Sequence, residues 1–199
     1  VRTVFVDVDT QIDFLYPAGA LYVPGAEAIV DRIGVLNHFA ESQGIPVVST
    51  IDAHSEDDAE FRDWPPHCVA GTSGQRKPVV TLLEQRVIVA NSRGLPDTAG
   101  AQQILLEKQA LNCFTNVNLK GLLERLGAER YVIYGVVTEV CVRFAALGLL
   151  ETGRSVELVT DAVKELEAAA STRFFDEFTA KGGVLTTVDE VTAAITVDP

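Results

Sequence analysis

Short apolar runs of strand length alternate along this chain with longer stretches whose apolar residues recur at helical spacing, and that alternation admits few architectures. Strand-like runs fall near residues 3–8, 46–51, 103–107, 130–135, 155–160 and 183–188. Between them, Ile29, Ile33, Leu36 and Ala40 share one face of a helix, and Leu119, Leu122, Leu123 and Leu126 share one face of another that Gly127 ends. Strands separated by helices read as an α/β fold, with a helix to cover each strand. Residues 73–102 break the rhythm. There Gly74, Pro78, Gly94, Pro96 and Gly100 punctuate a short apolar stretch, Val87 to Ala90, so an irregular excursion with room for a hairpin is expected, near the functional site or at a subunit contact.

A chain of 199 residues, 47% of them apolar, suits one domain over residues 1–199 with a substantial core. The formal charge of −12 argues against a surface that tracks phosphates, and Lys77, Lys120, Lys164 and Lys181 are scattered rather than bundled, so no nucleic-acid partner is indicated. No apolar run approaches the roughly twenty residues of a membrane span, and no signal peptide is evident. Three cysteines cannot form a fully paired disulfide set, so a reducing cytoplasm is the expected setting.

Chemistry concentrates where the apolar runs end. The first runs into Asp7, Asp9 and the segment Asp-Thr-Gln-Ile-Asp-Phe; the run Ile104 to Leu106 ends at Glu107 and Lys108. A third breaks at Gly135 and restarts as a helix near Thr138, which carries Cys141. In an open parallel sheet, groups at such ends meet in the crevice beyond the carboxyl edge. A cysteine alone in a helix is more often packing than chemistry, but a thiol in the first helical turn faces unpaired N–H groups and the positive end of the dipole, which favour the thiolate. A carboxylate able to take its proton and an ammonium able to stabilise the anion make Asp9, Lys108 and Cys141 a nucleophile-activating set.

A second constellation is Asp52-Ala53-His54, then Glu60, then Trp64-Pro65-Pro66-His67-Cys68-Val69-Ala70-Gly71-Thr72. Asp and His two apart on extended chain project the same way, and carboxylate with imidazole suits zinc, iron or manganese. On spacing alone, His54 and His67 stand equally well as ordinary loop residues, with Asp57, Asp58 and Glu60 solvating an acidic turn. His38 falls in a helical stretch without such company and reads as surface.

At these residues the chain resembles the isochorismatase-like cysteine hydrolases, and within them the nicotinamidases. The resemblance is carried in order by Asp9 with Asp13-Phe14, by Gly19-Ala20-Leu21 and Val23-Pro24-Gly25, by Lys108 after a strand, and by Gly135-Val136-Val137-Thr138 before Cys141, over roughly residues 3 to 190. It implies a three-layer sandwich, a mostly parallel six-stranded sheet with helices on both faces. It implies Asp9, Lys108 and Cys141 as catalytic residues, and backbone N–H groups of Val137 and Cys141 as the oxyanion hole, with a cis Val136-Val137 peptide. Asp52, His54 and His67 would be metal ligands, with Glu60 at a position where relatives carry His or Glu, for one divalent ion, zinc first and iron or manganese as alternatives. Phe14 and Trp64 would line a flat aromatic pocket, and Cys68 and Cys113 would be packing residues.

The implied activity is hydrolysis of nicotinamide through a Cys thioester, in a homo-oligomer that takes a small amide substrate. After Lys108 the chain reads Gln-Ala-Leu-Asn-Cys-Phe, and Val137 stands where relatives have a small Ala. These departures leave room for another amide, a carbamoyl or ureido compound, or the vinyl ether of isochorismate. A non-catalytic binding module is the remaining reading, against which the complete triad argues.

Overall fold

The computed structural model describes residues 1–196. Its elements run β1 (Thr3–Val8), α1 (Ile12–Leu15), α2 (Val30–Ser42), β2 (Val47–Asp52), β3 (Arg86–Val89), β4 (Gln103–Lys108), α3 (Leu119–Leu126), β5 (Arg130–Val136), α4 (Arg143–Leu150), β6 (Ser155–Lys164), α5 (Ala168–Ala180), β7 (Val184–Thr186) and α6 (Val188–Thr196). The strands form one parallel sheet in the order β3-β4-β2-β1-β5-β6-β7. Every residue of β1 and β2 is buried, as expected of central strands covered on both faces.

Helices cover the two faces around separate apolar clusters. On one, Ile33, Leu36 and Ala40 of α2 meet Phe5, Val47, Val132 and Val191; on the other, Leu119, Leu122 and Leu123 of α3 meet Ile104, Ile133, Ala145 and Phe174. The stripes expected on α2 and α3 are the faces that pack, and Gly127 closes α3 in the left-handed conformation, φ +58°, that a helix stop of this kind requires.

Among the described residues the sheet has seven strands, not six. The additional strand is β3, inside the stretch expected to be irregular, and it is no hairpin: Val87 and Ile88 pair in parallel with Ile104 and Leu105. It is a short edge strand whose Arg86 and Ile88 are exposed, so its alternation is too brief to register among the surrounding glycines and prolines. Other boundaries move by less, except β6, which runs on to Lys164 past an irregularity in its pairing with β5.

The chain leaves β1 toward β2 on one side and reaches β5 on the other. The strand order therefore reverses beside β1, where a parallel sheet opens a crevice at its carboxyl edge. Gly135 lets the two strands close there. It faces Val8 in register, and a Cβ would stand 2.2 Å from the Val8 carbonyl oxygen.

Candidate active site

Four strand ends deliver charge to this edge. Asp9 follows β1, Asp52 ends β2, Lys108 ends β4, and Cys141 lies in the wide turn Thr138–Val142 after β5, where Val142 N–H donates to Val137 C=O at 3.1 Å. Asp9 has φ +51° and Cys68, beside His67, has φ +45°; among the described residues, both non-glycine positions in the left-handed region thus adjoin the site, as functional positions often do. The Val136-Val137 peptide is cis.

The Lys108 ammonium, 1% exposed, sits among all the others. Its Nζ is 2.9 Å from Asp9 Oδ2, 2.5 Å from Asp52 Oδ1 and 3.9 Å from Cys141 Sγ. Burial opposes its charge, yet Asp52, Asp9 and Cys141 together hold its pKa well above the ordinary value. One cation cannot neutralise two carboxylates. At Asp52, Lys108 and the neighbouring imidazoles of His54 and His67 overcome the cost of burial and hold the pKa well below the usual range. At Asp9, burial wins over Lys108 and the Thr50 hydroxyl, with Asp52 adding repulsion, and the pKa is raised. Asp9 is thereby the stronger proton acceptor of the two.

The thiol departs from the expectation. Burial, reinforced by Asp9, pushes the Cys141 pKa well above its ordinary value in spite of Lys108. Desolvation of the anion outweighs the attraction of the Lys108 ammonium, so Cys141 rests as a thiol and needs a base beside it.

The second cluster adjoins the first through Asp52. Asp52, His54 and His67, all buried, offer ligand atoms within 4.8 Å of one another. Asp52 Oδ2 lies 3.8 Å from His54 Nε2 and 3.7 Å from His67 Nε2, and Glu60 Oε1 reaches the same nitrogens at 4.0 and 3.8 Å. Ligand atoms about 2.0–2.1 Å from a tetrahedral ion stand about 3.3 Å apart, so the cluster is only slightly wider than a filled zinc site. His67 Nδ1 is 2.7 Å from the Pro65 carbonyl and must donate there, which leaves Nε2 bare toward the cluster. His54 Nε2 is a buried nitrogen with no hydrogen-bond partner. Burial disfavours charge on His54, but Asp52, Asp58 and Glu60 outweigh it and raise its pKa, the mark of a cluster short of positive charge. These residues fit a divalent cation.

Phe14 is buried, with its ring centroid 5.3 Å from that of His67. Trp64 is half-buried and anchors its turn through its backbone N–H to Glu60 C=O at 3.1 Å. The ring against both imidazoles is Phe61, 5.2 Å from His54 and 5.7 Å from His67, a residue that no motif singles out. Cys68 and Cys113 are buried and unpaired, and burial pushes the Cys113 thiol up to about 12; His38 is exposed beside Glu41.

Two further residues escaped sequence reading because their partners are remote along the chain. Gln11 clamps the Asp52 backbone from both sides, donating to its C=O at 2.9 Å and accepting from its N–H at 2.7 Å. Asp13 accepts from Cys68 N–H at 2.7 Å and so fixes the turn that carries His67. A groove of about 1280 Å³ lined by Phe114, Leu123, Phe144 and Leu147 touches none of these groups.

The family model for the isochorismatase domain matches residues 3–190, and the chain belongs to that family. It is 26% identical to a nicotinamidase of Escherichia coli over 91% of this chain and 92% of that protein. It is 27% identical to a maleamate amidohydrolase of Pseudomonas putida over 92% and 82%. Among solved structures, the pyrazinamidase of Pyrococcus horikoshii in complex with zinc superposes with a TM-score of 0.80 at 30% identity, covering 94% of this chain and 99% of that one.

Proposed function

We propose that this protein is a metal-dependent amidohydrolase, a single hydrolase domain that converts nicotinamide to nicotinate and ammonia through a thioester on Cys141. The observation that carries the reading is the position of Lys108, whose ammonium contacts Asp9, Asp52 and Cys141 at once and so joins a buried thiol and its base to a two-imidazole cluster.

Asp9 accepts the proton of Cys141 as sulfur adds to the carboxamide carbon, and the carbonyl pair moves onto oxygen, where the N–H groups of Val137 and Cys141 hold it, each worth about 3 kcal/mol in comparable sites. The C–N bond then breaks, Asp9 returns the proton to nitrogen, and ammonia leaves. Water gives a proton to Asp9 and adds to the thioester; the C–S bond breaks and the proton returns to sulfur, leaving nicotinic acid, which ionises to nicotinate in solution. Lys108 offsets the negative charge that passes between Asp9 and sulfur. Asp52, His54, Glu60 and His67 would hold a divalent ion, zinc first and iron or manganese as alternatives, which supplies a Lewis-acid site for the ring nitrogen of the substrate. Phe14 and Trp64 would flank the pyridine ring. The relatives named nicotinamidase and pyrazinamidase support an aromatic amide, and the three unpaired cysteines suit a cytoplasmic enzyme of pyridine nucleotide salvage, with a homo-oligomer as the expected assembly.

A second reading, an enzyme for another amide or ureido compound or for isochorismate, draws support from equal similarity to a maleamate amidohydrolase and from the bulk of Val137. Ammonia release from nicotinamide, maleamate and a ureido compound by the purified protein decides between them. Nicotinamide is expected to be the fastest; if it is inert while another compound turns over, the substrate assignment fails and the cysteine chemistry stands. Less than about one zinc, iron or manganese per chain after purification without chelator would also favour the second reading.

A further inference from the structure

We infer that Asp58 is a positioning residue for the metal centre, holding His54 through one carboxylate oxygen and Glu60 through the other. The inference rests on the metal reading above and extends it to a residue that touches neither substrate nor ion.

Asp58 stands at the head of the short 3₁₀ turn Ala59–Arg62, and its two oxygens have different tasks. Oδ1 accepts from Glu60 N–H at 2.9 Å, which caps the turn and sets the direction in which the Glu60 side chain leaves the backbone. Oδ2 lies 3.0 Å from His54 Nδ1, an ion-pair distance off the ideal hydrogen-bond line. The two contacts bear on both ends of the cluster. The Asp58 charge beside Nδ1 favours a proton there, which leaves the lone pair of His54 at Nε2, the atom that faces Asp52 and Glu60 at 3.8 and 4.0 Å. The ring cannot turn away from this orientation easily, because it is fully buried with Phe61 against it. His67 obtains the same tautomer from a backbone carbonyl, that of Pro65, which no side-chain substitution removes; His54 depends on a replaceable carboxylate.

The geometry allows the two tasks to be separated. In Asp58→Ser the hydroxyl still caps the turn but is too short to reach the imidazole. In Asp58→Asn the side chain keeps its shape but has one acceptor oxygen for two partners. Titration of metal-free protein with Co²⁺, followed by its visible absorption and by competition with Zn²⁺, reads the centre without reference to turnover. Both variants are expected to bind Co²⁺ and Zn²⁺ about 10–100-fold more weakly than wild type, with altered cobalt bands, while the unfolding midpoint of the metal-free protein stays close to that of wild type. Wild-type affinity in Asp58→Ser would overturn the role at His54. Wild-type protein that binds neither ion overturns the metal reading and this inference together. If wild type binds and His54→Ala binds as tightly, His54 is no ligand and the inference fails while a metal site survives.

Discussion

The end of β1 and the residue that follows it carry two buried aspartates two positions apart, Asp7 and Asp9, each paired with a buried lysine, and the two pairs are finished differently. Asp7 is fully provided for: Oδ1 accepts from the Thr10 hydroxyl at 2.7 Å, and Oδ2 meets Lys77 at 2.8 Å, Ser49 at 3.0 Å and Asn37 at 3.1 Å. Asn37 in turn accepts from the Tyr134 hydroxyl at 2.5 Å, so the network runs from the sheet into α2. Asp9 has the Thr50 hydroxyl on Oδ1 at 2.6 Å, but Oδ2 has only the off-line ammonium of Lys108, which Asp52 also claims. A buried carboxylate with both oxygens engaged serves the fold; one left partly unsatisfied is open to chemistry. The contrast separates structure from chemistry within three residues of chain.

The largest effect expected is on turnover. Asp9→Asn and Cys141→Ala should each lower kcat by at least about four orders of magnitude while circular dichroism reports a folded protein. Asp7→Ala should do the reverse. Leaving Lys77 buried without its partner costs about 3–5 kcal/mol in a denaturant titration, while kcat of the folded fraction changes only a few-fold. An Asp7 variant that is stable but inactive would abolish the distinction.

His54→Ala, further from the scissile bond, is expected to raise KM for nicotinamide tenfold or more with a smaller change in kcat, read from initial rates at saturating metal. Chelator treatment should reproduce that pattern in wild type and add little in the variant.

The finest test is of pH. Asp9 must be ionised to accept the thiol proton, and its pKa is raised above the ordinary 3.8, so activity is lost as pH falls through that raised value and the acid limb of kcat/KM lies above 3.8. Thr50→Val removes a hydrogen bond that favours the charged carboxylate. The limb should move to still higher pH, by about 1–2 units for a bond of about 1.5–3 kcal/mol, with the plateau rate nearly unchanged. A limb that stays in place would show that Asp9 is not the group titrating.

What sequence made legible follows the same division. Asp9, Lys108 and Cys141 stand out because charge or sulfur at the end of an apolar run has few structural uses, and Asp52 and His54 because extended chain places alternate residues on one side. Lys77 reads as one of several scattered lysines, yet it is 6% exposed, and its partner lies seventy residues earlier in the chain, where no local pattern points. Asp58, only four residues from His54, reads on spacing alone as part of a solvated acidic turn, because nothing in the order of residues says that the turn after β2 brings its carboxylate to the imidazole. β3 was missed because four residues with two exposed side chains barely alternate, and the resting state of Cys141 was missed because the burial that sets it is a property of the assembled core.

The Asp52 carboxylate turns one oxygen to Lys108 and the other to the imidazoles. Sharing one side chain in this way ties the two halves of the crevice into a common charge balance. This position therefore has little freedom to vary, since a neutral replacement strips the lysine of its nearest counter-charge at the same stroke as it empties the space before the two imidazoles.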